Sequence, residues 1–403
     1  MRRIAVCVYT TNAAGVIRAV EIASAISRLH HDEVVITFFT YRGNLPGAKK
    51  RTVDYEHLIQ EFDVNYFGGN DIVLDDAMWQ AFRQAELNRD GIFPPPYDVC
   101  ATKYLRAVID TLTEYQPDIL VYGLFPEVAL AAAIQGWKSV SFSAIERNSY
   151  MNWISRNSDT LAKIGIQPNN GSKHKNPWRV IQNAAIECGL KLKDPQDFIN
   201  AICPSRTALC DFESFYDKEK LVPGVTIVGP LTSSYGKHGK ASVFIECLKA
   251  LNNATSGEFR SVVLVPCWLH ESNLVDDTLS TAKNNKDILI VKDFVPVRPI
   301  LNLVDVLICH GGQQSIQCGL AAGIPILGVP TQVEQCFNLH HVESCNAGLC
   351  ILPVDCKEKR IRDALHRVGS TPSYKREALK LQQDFFRDTA GAEKVASLVW
   401  DTL

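Results

Sequence analysis

The sequence predicts an α/β fold built as two doubly wound domains, and three observations carry that expectation. Apolar runs of strand length alternate with amphipathic helical stretches from the first residues onward. The alternation starts afresh after a Gly-, Ser- and Lys-rich stretch, "LTSSYGKHGK", at 231–240. The chain, at 403 residues, also exceeds the roughly 250 to 300 residues at which a single core stops growing.

The opening "RRIAVCVY" is a continuous apolar run of the kind a strand buried on both faces shows. The loop "TTNAAG", the helix "VIRAVEIASAISRL" and the strand "DEVVITFFTY" complete a βαβ unit. Its first loop lies at the carboxyl ends of the strands, where such sheets bind ligands. The region that follows, including "GIFPPPYD", reads as loop. "PDILVYGL", "PEVALAAAIQG" and "WKSVSFSAI" then give strand, helix and strand, with Pro126 in the first helical turn. Residues 151–200, polar and interrupted by Gly171, Pro177 and Pro195, are expected to form helical insertions lining a cleft. The strand "VTIVG" closes the first domain before the linker.

The second set runs from the helix "SVFIECLKALNN" through the strands "SVVLVPCW" and "DILIVKDFV" to the helix "VRPILNLV" and the strand "DVLICHGG". "IPILGVP", "EQCFNLHHVESCNAG" and "LCILP" follow as strand, helix and strand, before an amphipathic tail. The expected division is 1–232, 233–385 and a last helix at 386–403.

Charge is nearly balanced, with 42 Lys plus Arg against 44 Asp plus Glu, so no electrostatic footprint for nucleic acid or an anionic membrane is present. A small-molecule partner is expected by elimination. No window reaches the roughly 18 uncharged apolar residues of a membrane span. The 13 cysteines are scattered and odd in number, and "MRRIAVCVYT" enters a strand with no apolar leader. Free thiols in a reducing cytoplasm are therefore expected. His30, His31, His340 and His341 form adjacent pairs without zinc-site spacing, and no metal is assigned.

The densest chemistry lies in "CHGGQQSIQCGLAAGIPILGVPTQVEQCFN", Cys309 to Asn338. A buried strand ends at Cys309, and Gly311 and Gly312 let the backbone approach a ligand closely. Gln314 and Ser315 begin a helix expected to reach Ala322, whose first amides form a seat for phosphate. The same turn could serve tight packing alone. A second polar cluster, Glu334, Gln335 and Asn338, follows the next strand, so two adjacent strand ends offer polar groups to one crevice.

This segment resembles the nucleotide-sugar half of the family 1 glycosyltransferases of the GT-B fold. Their pattern is His-x-Gly-x-x-Ser, then Gly-x-Pro, then Pro-x-x-x-Asp-Gln-x-x-Asn. It is matched by His310, Gly312 and Ser315, by Gly323 and Pro325, and by Pro330, Glu334, Gln335 and Asn338. The likeness extends to "ILIVKDFVPVRPIL" before the motif, to "VGPL" at the domain boundary, and to "DTAGAEKVASLVWDTL", which is similar to the last helix of that family.

The resemblance implies two Rossmann-like domains facing a central cleft, with the C-terminal helix crossing back to the first. It implies that His310, Gly311, Gly312, Gln314 and Ser315 hold the diphosphate of a nucleotide sugar, a UDP-sugar, and that Glu334 and Gln335 receive the sugar hydroxyls. Sugar would pass with inversion to a small lipophilic acceptor. Helix dipole and histidine would neutralise the departing diphosphate without a metal, and no cofactor beyond the co-substrate is expected.

Four positions depart from the pattern. Gly15 stands where the family places its general-base histidine, followed by Val16, Ile17 and Arg18. Cys318 stands at the ribose-binding glutamate, with Gln317 adjacent, and Val297 replaces a glutamine before the motif. No apolar strand opens the second domain, although Gly236, Lys237, His238 and Gly239 could touch an anion.

Glu127, in the first turn of a helix at a carboxyl-end loop, is the candidate replacement base or a mere helix-terminal carboxylate. Glu146 is its equivalent after the next strand. Asn12 could orient an acceptor without taking its proton, and His270 is a further loop candidate. Two other readings remain: a GT-B scaffold that has lost sugar transfer and binds or converts a hydrophobic small molecule, and a nucleotide-sugar epimerase.

Overall fold

The computed structural model describes residues 1–10, 13–41, 56–69, 97–123, 125–143, 146, 153, 156–157, 159–161, 177–192, 201–202, 206–231, 241–265, 273–293, 295–387 and 390–403. Two compact units emerge, one of 1–149, 168–231 and 388–403, the other of 150–167 and 232–387.

The first unit holds strands β1 (Arg2–Cys7), β2 (Val34–Thr40), β3 (Asp63–Tyr66), β4 (Ile119–Tyr122), β5 (Ser139–Ser143), β6 (Thr207–Leu209) and β7 (Val225–Ile227). They form one sheet in the order β3-β2-β1-β4-β5-β6-β7, with parallel pairing throughout. The chain leaves β1 toward β2 and later returns to its other side at β4, so the strand order reverses between β1 and β4. Cys7 pairs with both Phe39 and Tyr122 there, setting three carboxyl ends abreast.

Burial on both faces explains the unbroken apolar strands. Ala5 and Cys7 of β1 face one core, shared with Leu105, Val108 and Leu112 of α2 (Tyr97–Tyr115) and Val128 and Leu130 of α3 (Pro126–Gln135). Ile4 and Val6 face the other, shared with Val16, Ala19, Ile22 and Ile26 of α1 (Ala13–Leu29). Their spacing of three and four residues is the stripe one face of a helix must carry. Helix α3 starts at Pro126 and ends at Gly136 in the left-handed conformation, φ 69°, an arrangement that supplies a stop without a Cβ penalty.

The sequence-based expectations need three corrections here. The stretch after β2 is not simply loop, because it contains a 3-10 turn at Glu56–Leu58, β3 and the 19-residue α2. Prolines at 94–96 and the polar residues between apolar positions hide that helix, whose stripe is Ala101, Tyr104, Leu105, Val108 and Leu112. Pro177 opens α4 (Pro177–Glu187) rather than breaking a helix, the position where a missing N–H costs nothing. Helix α1 begins at Ala13, so Gly15 lies in its first turn rather than in a loop.

The second unit contains α5 (Ala241–Asn252), β8 (Ser261–Leu264), α6 (Asn273–Lys283), β9 (Ile288–Val291), α7 (Val297–Leu301) and β10 (Leu307–Cys309). Helix α8 (Gln313–Ala321), β11 (Ile326–Gly328), α9 (Val333–Ser344), β12 (Gly348–Cys350), α10 (Glu358–Ser370) and α11 (Pro372–Arg387) complete it. Strands β8 and β9 pair in parallel, as do β10, β11 and β12. Among the described residues of this unit no strand precedes α5; residues 232–240, with Gly236 to Gly239, lie outside them.

Helix α12 (Gly391–Trp400) belongs to the first unit, as the resemblance implied. Val395, Ala396 and Val399 join the α1 core. Arg28 Nη2 meets Glu393 Oε1 at 2.6 Å, and the His30 and Trp400 rings stack at 3.7 Å. A Cβ at Gly391 would stand 2.9 Å from the Val228 carbonyl oxygen. The chain end is thereby fastened to its beginning.

Candidate functional site

In the second unit, β10 delivers its last residue, Cys309, to a turn of His310, Gly311 and Gly312 that leads into α8. Gly311 adopts φ 88°, and a Cβ there would lie 2.7 Å from Leu339 Cδ1 and 2.9 Å from the Gln335 carbonyl oxygen. Both backbone conformation and α9 therefore demand glycine. A Cβ on Gly312 would lie 2.6 Å from His310 Nε2, so the imidazole folds back over the helix start. Gly312 caps α8 without a side-chain bond. Because the first-turn amides of a helix have no intrahelical acceptor, those of Gln313, Gln314 and Ser315 gather with the half-buried His310 at one positive helix end.

The neighbouring strand end carries the second cluster. Gln335 Oε1 accepts from the Thr331 amide at 2.7 Å and from Thr331 Oγ1 at 3.0 Å. Asn338 Nδ2 donates to the Gly311 carbonyl at 3.0 Å and lies 3.4 Å from Glu334 Oε1. Gln335 and Asn338 are buried, whereas Glu334 is partly exposed. The buried amides thus brace the turn beyond β10 and the start of α9, and Gln332 and Glu334 are the polar groups there that reach the outside. Gln317 and Cys318 are both buried, so neither side chain is exposed at the ribose position.

In the first unit, the loops beyond β1, β2 and β4 bring Tyr9, Tyr41, Phe125 and Glu127 together. Tyr9 Oη donates to Glu127 Oε2 at 2.8 Å, and the Tyr9 ring stacks on Phe125 at 3.9 Å. Tyr41 packs against Tyr104, Phe67 and Phe125, and its buried hydroxyl has no hydrogen-bond partner among the described residues. Glu127 is only 2% exposed. Burial pushes its carboxyl up from 4.5 to about 7, while its own backbone amide and Tyr9 hold it down. Burial first, and the Glu127 charge next, drive the Tyr9 and Tyr41 phenols well above their ordinary range. The nest sits where the strand order reverses, the place at which open α/β sheets take ligands.

Of the other sequence candidates, Glu146 is buried at 3% exposure near Tyr216, whose hydroxyl donates to Asp211 Oδ2 at 2.9 Å. Asn12 and His270 lie outside the described residues. Sequence reasoning missed the tyrosines, although a signal exists: each of three apolar runs, "AVCVY", "TFFTY" and "ILVY", ends in Tyr9, Tyr41 or Tyr122. Among the described residues, no group of three or more His, Cys, Asp or Glu could hold a metal ion. No helix there is long and apolar enough to cross a membrane, and ten of the described cysteines, among them Cys7, Cys309 and Cys318, are free thiols.

Residues 275–400 match the family described as Erythromycin biosynthesis protein CIII-like, C-terminal domain. The chain is 32% identical over 101 residues to the PGL/p-HBAD biosynthesis rhamnosyltransferase of Mycobacterium bovis, a match covering 25% of this chain and 22% of that protein. Over 102 residues it is 31% identical to the NDP-glycosyltransferase YjiC of Bacillus licheniformis, covering 25% and 26%. The matched segment thus spans about a quarter of each relative's length. Among solved structures, the calicheamicin glycosyltransferase CalG4 aligns with TM-score 0.68 at 16% identity, covering 100% of this chain and 98% of that one. The glycosyltransferase VinC in complex with DTDP aligns with TM-score 0.64 at 13% identity, covering 99% of each. The two-unit α/β fold is that of the GT-B glycosyltransferases, and residues 275–400 resemble the C-terminal domain of one such family.

Proposed function

We propose that the protein transfers a glycosyl group from a pyrimidine nucleoside diphosphate sugar to the hydroxyl of a small lipophilic acceptor, with inversion at the anomeric carbon. The observation that carries this reading is the gathering of His310 with the Gly312 to Ser315 amides at the start of α8. A diphosphate seated there would meet amide donors, the positive end of a helix and an imidazole. Each interaction strengthens as the sugar–phosphate bond breaks and charge builds on the leaving group, so it favours the transition state over the bound donor. Glu334 would receive a sugar hydroxyl, with Gln335 and Asn338 fixing its loop. The similarity to a rhamnosyltransferase and an NDP-glycosyltransferase supports nucleotide-sugar use. UDP and dTDP are the two donors' diphosphates to try first.

In this reading Glu127 is the final proton acceptor for the attacking hydroxyl. A base titrating at about 7 is half-ionised near neutral pH, where proton acceptance is most effective. The test is a thermal-shift series with UDP, dTDP, UDP-glucose and dTDP-rhamnose, because a ligand bound only by the folded state raises the apparent melting temperature. A dose-dependent rise with at least one of them is expected, followed by diphosphate release when a simple alcohol or phenol is added. No shift with any of the four would overturn the proposal.

A further inference from the structure

Glu127 has an obstacle to direct action: it is 2% exposed, whereas Tyr9, bonded to it, is partly exposed. A small cavity of about 10 Å³ adjoins the pair, and it is lined by Cys7, Val8, Tyr9, Gly15, Gly123 and two phenylalanines, Phe125 and Phe142. Glu127 is not among its walls. That volume is close to the least that admits one small polar group such as a water or a hydroxyl. Of the bonded pair, Tyr9 contributes to the cavity wall and Glu127 does not.

We infer that Tyr9 is the group that meets the acceptor hydroxyl, and that Glu127 takes the proton through it. The inference rests on the transfer reading given above. A phenol hydroxyl is one donor with two acceptor lone pairs. Since Tyr9 donates to Glu127 Oε2 at 2.8 Å, its oxygen retains lone pairs for an incoming O–H. Stacking on Phe125 fixes the ring, so the acceptor side of the oxygen is held in place.

The balance of the step is complete. The acceptor's O–H proton passes to Tyr9 Oη as the Tyr9 proton passes to Glu127 Oε2, and the phenol ends neutral as it began. The acceptor oxygen bonds to the anomeric carbon while the sugar–phosphate bond breaks, its electron pair leaving on the diphosphate. Glu127 ends protonated and returns the proton to solvent by the reverse path. Tyrosinate is never required as a stable species, which matters because burial makes it costly.

Among the described residues, Tyr41 from the end of β2 and Tyr104 from α2 lie close to Tyr9, and Cys7 from β1 shares the cavity wall with it. All three are neutral acids, so none competes for the proton. The Tyr41 hydroxyl, buried and without a hydrogen-bond partner among the described residues, is a donor held in reserve within the same nest.

Two acceptor probes separate this route from a structural role. Benzyl alcohol must surrender a proton, whereas 4-nitrophenol is largely ionised at pH 8 and brings none. With whichever of UDP-glucose and dTDP-rhamnose the protein uses, Tyr9→Phe is expected to lower kcat for benzyl alcohol about 100-fold or more and to leave 4-nitrophenol within a few-fold. The donor KM should stay unchanged. The rising limb of the wild-type pH profile with benzyl alcohol, near pH 7, should disappear.

Equal losses for both probes, or an unaltered pH profile, would overturn the inference while leaving sugar transfer standing. Glu127→Gln should show the same split, and the double variant should be no slower than either single one. Wild-type protein that transfers to neither probe and releases no diphosphate in water overturns both readings together.

Discussion

The side-chain amide of Asn338 donates to the backbone carbonyl of Gly311 at 3.0 Å, joining the first turn and a half of α9 to the turn beyond β10. One buried bond thus ties a helix to a turn through residues 27 apart in sequence. Asn338→Ala should lose about 1 to 3 kcal/mol of stability, because the carbonyl is left unpaired. UDP affinity should fall with it. Urea denaturation and calorimetric titration check the two effects, and unchanged values in both would show that the turn is held by packing alone.

His310→Ala is expected to weaken UDP binding about 10- to 100-fold, the worth of a charge-assisted contact of roughly 1.5 to 3 kcal/mol. Calorimetric titration at fixed salt measures it. Retained affinity would remove His310 from the diphosphate site.

Gly311 and Gly312 should fail differently. Gly311→Ala forces a side chain into φ 88° and against Leu339 and the Gln335 carbonyl, a strain of about 1 to 3 kcal/mol or more, so the melting temperature should drop. At Gly312 the neighbour within 3 Å is the movable His310 ring. Gly312→Ala should keep the melting temperature near that of the wild type and lose UDP affinity. Thermal melts with and without UDP distinguish the two.

Glu127 should make the protein less stable as pH rises. Its folded pKa, about 7, lies above the ordinary 4.5, so between these values the folded chain keeps a proton that the unfolded chain releases. Stability then falls across that window and levels above it, by roughly 3 kcal/mol in all. Glu127→Gln carries no such titration, so it should be more stable than the wild type at pH 8 and show a flatter profile from pH 5 to 8. Urea midpoints across that range measure this, and parallel profiles would refute the buried, half-ionised carboxyl.

His341 titrates in the opposite sense. Burial lowers it from 6.5 to about 4, so on acidification the unfolded chain binds a proton that the folded chain resists, and stability falls as pH drops below 6.5. His341→Phe, which can keep the edge-on packing against Phe337, should remove that part of the acid sensitivity. Melting temperatures at pH 4.5 and 7 provide the check.

Most strands and helices, though not the short β3 and β6, were legible in the residues alone, because burial on both faces of a parallel sheet and the stripe of a covering helix each leave a local period. The sequence also determined the turn from Cys309 to Ser315, whose glycines obey constraints on backbone angle and close approach. Helix α2 escaped because its apolar stripe, Ala101 to Leu112, is diluted by polar residues and preceded by three prolines. The burial of Glu127 and its bond to Tyr9 come from the folded chain alone. The sequence left it between a helix-end carboxylate and a base, since a residue's burial depends on loops that reach it from β1, β2 and β4. Tyr9 lies 118 residues from Glu127 in the chain, and no local pattern can signal a hydrogen bond across that distance. The sheet makes it, by setting the ends of β1 and β4 side by side.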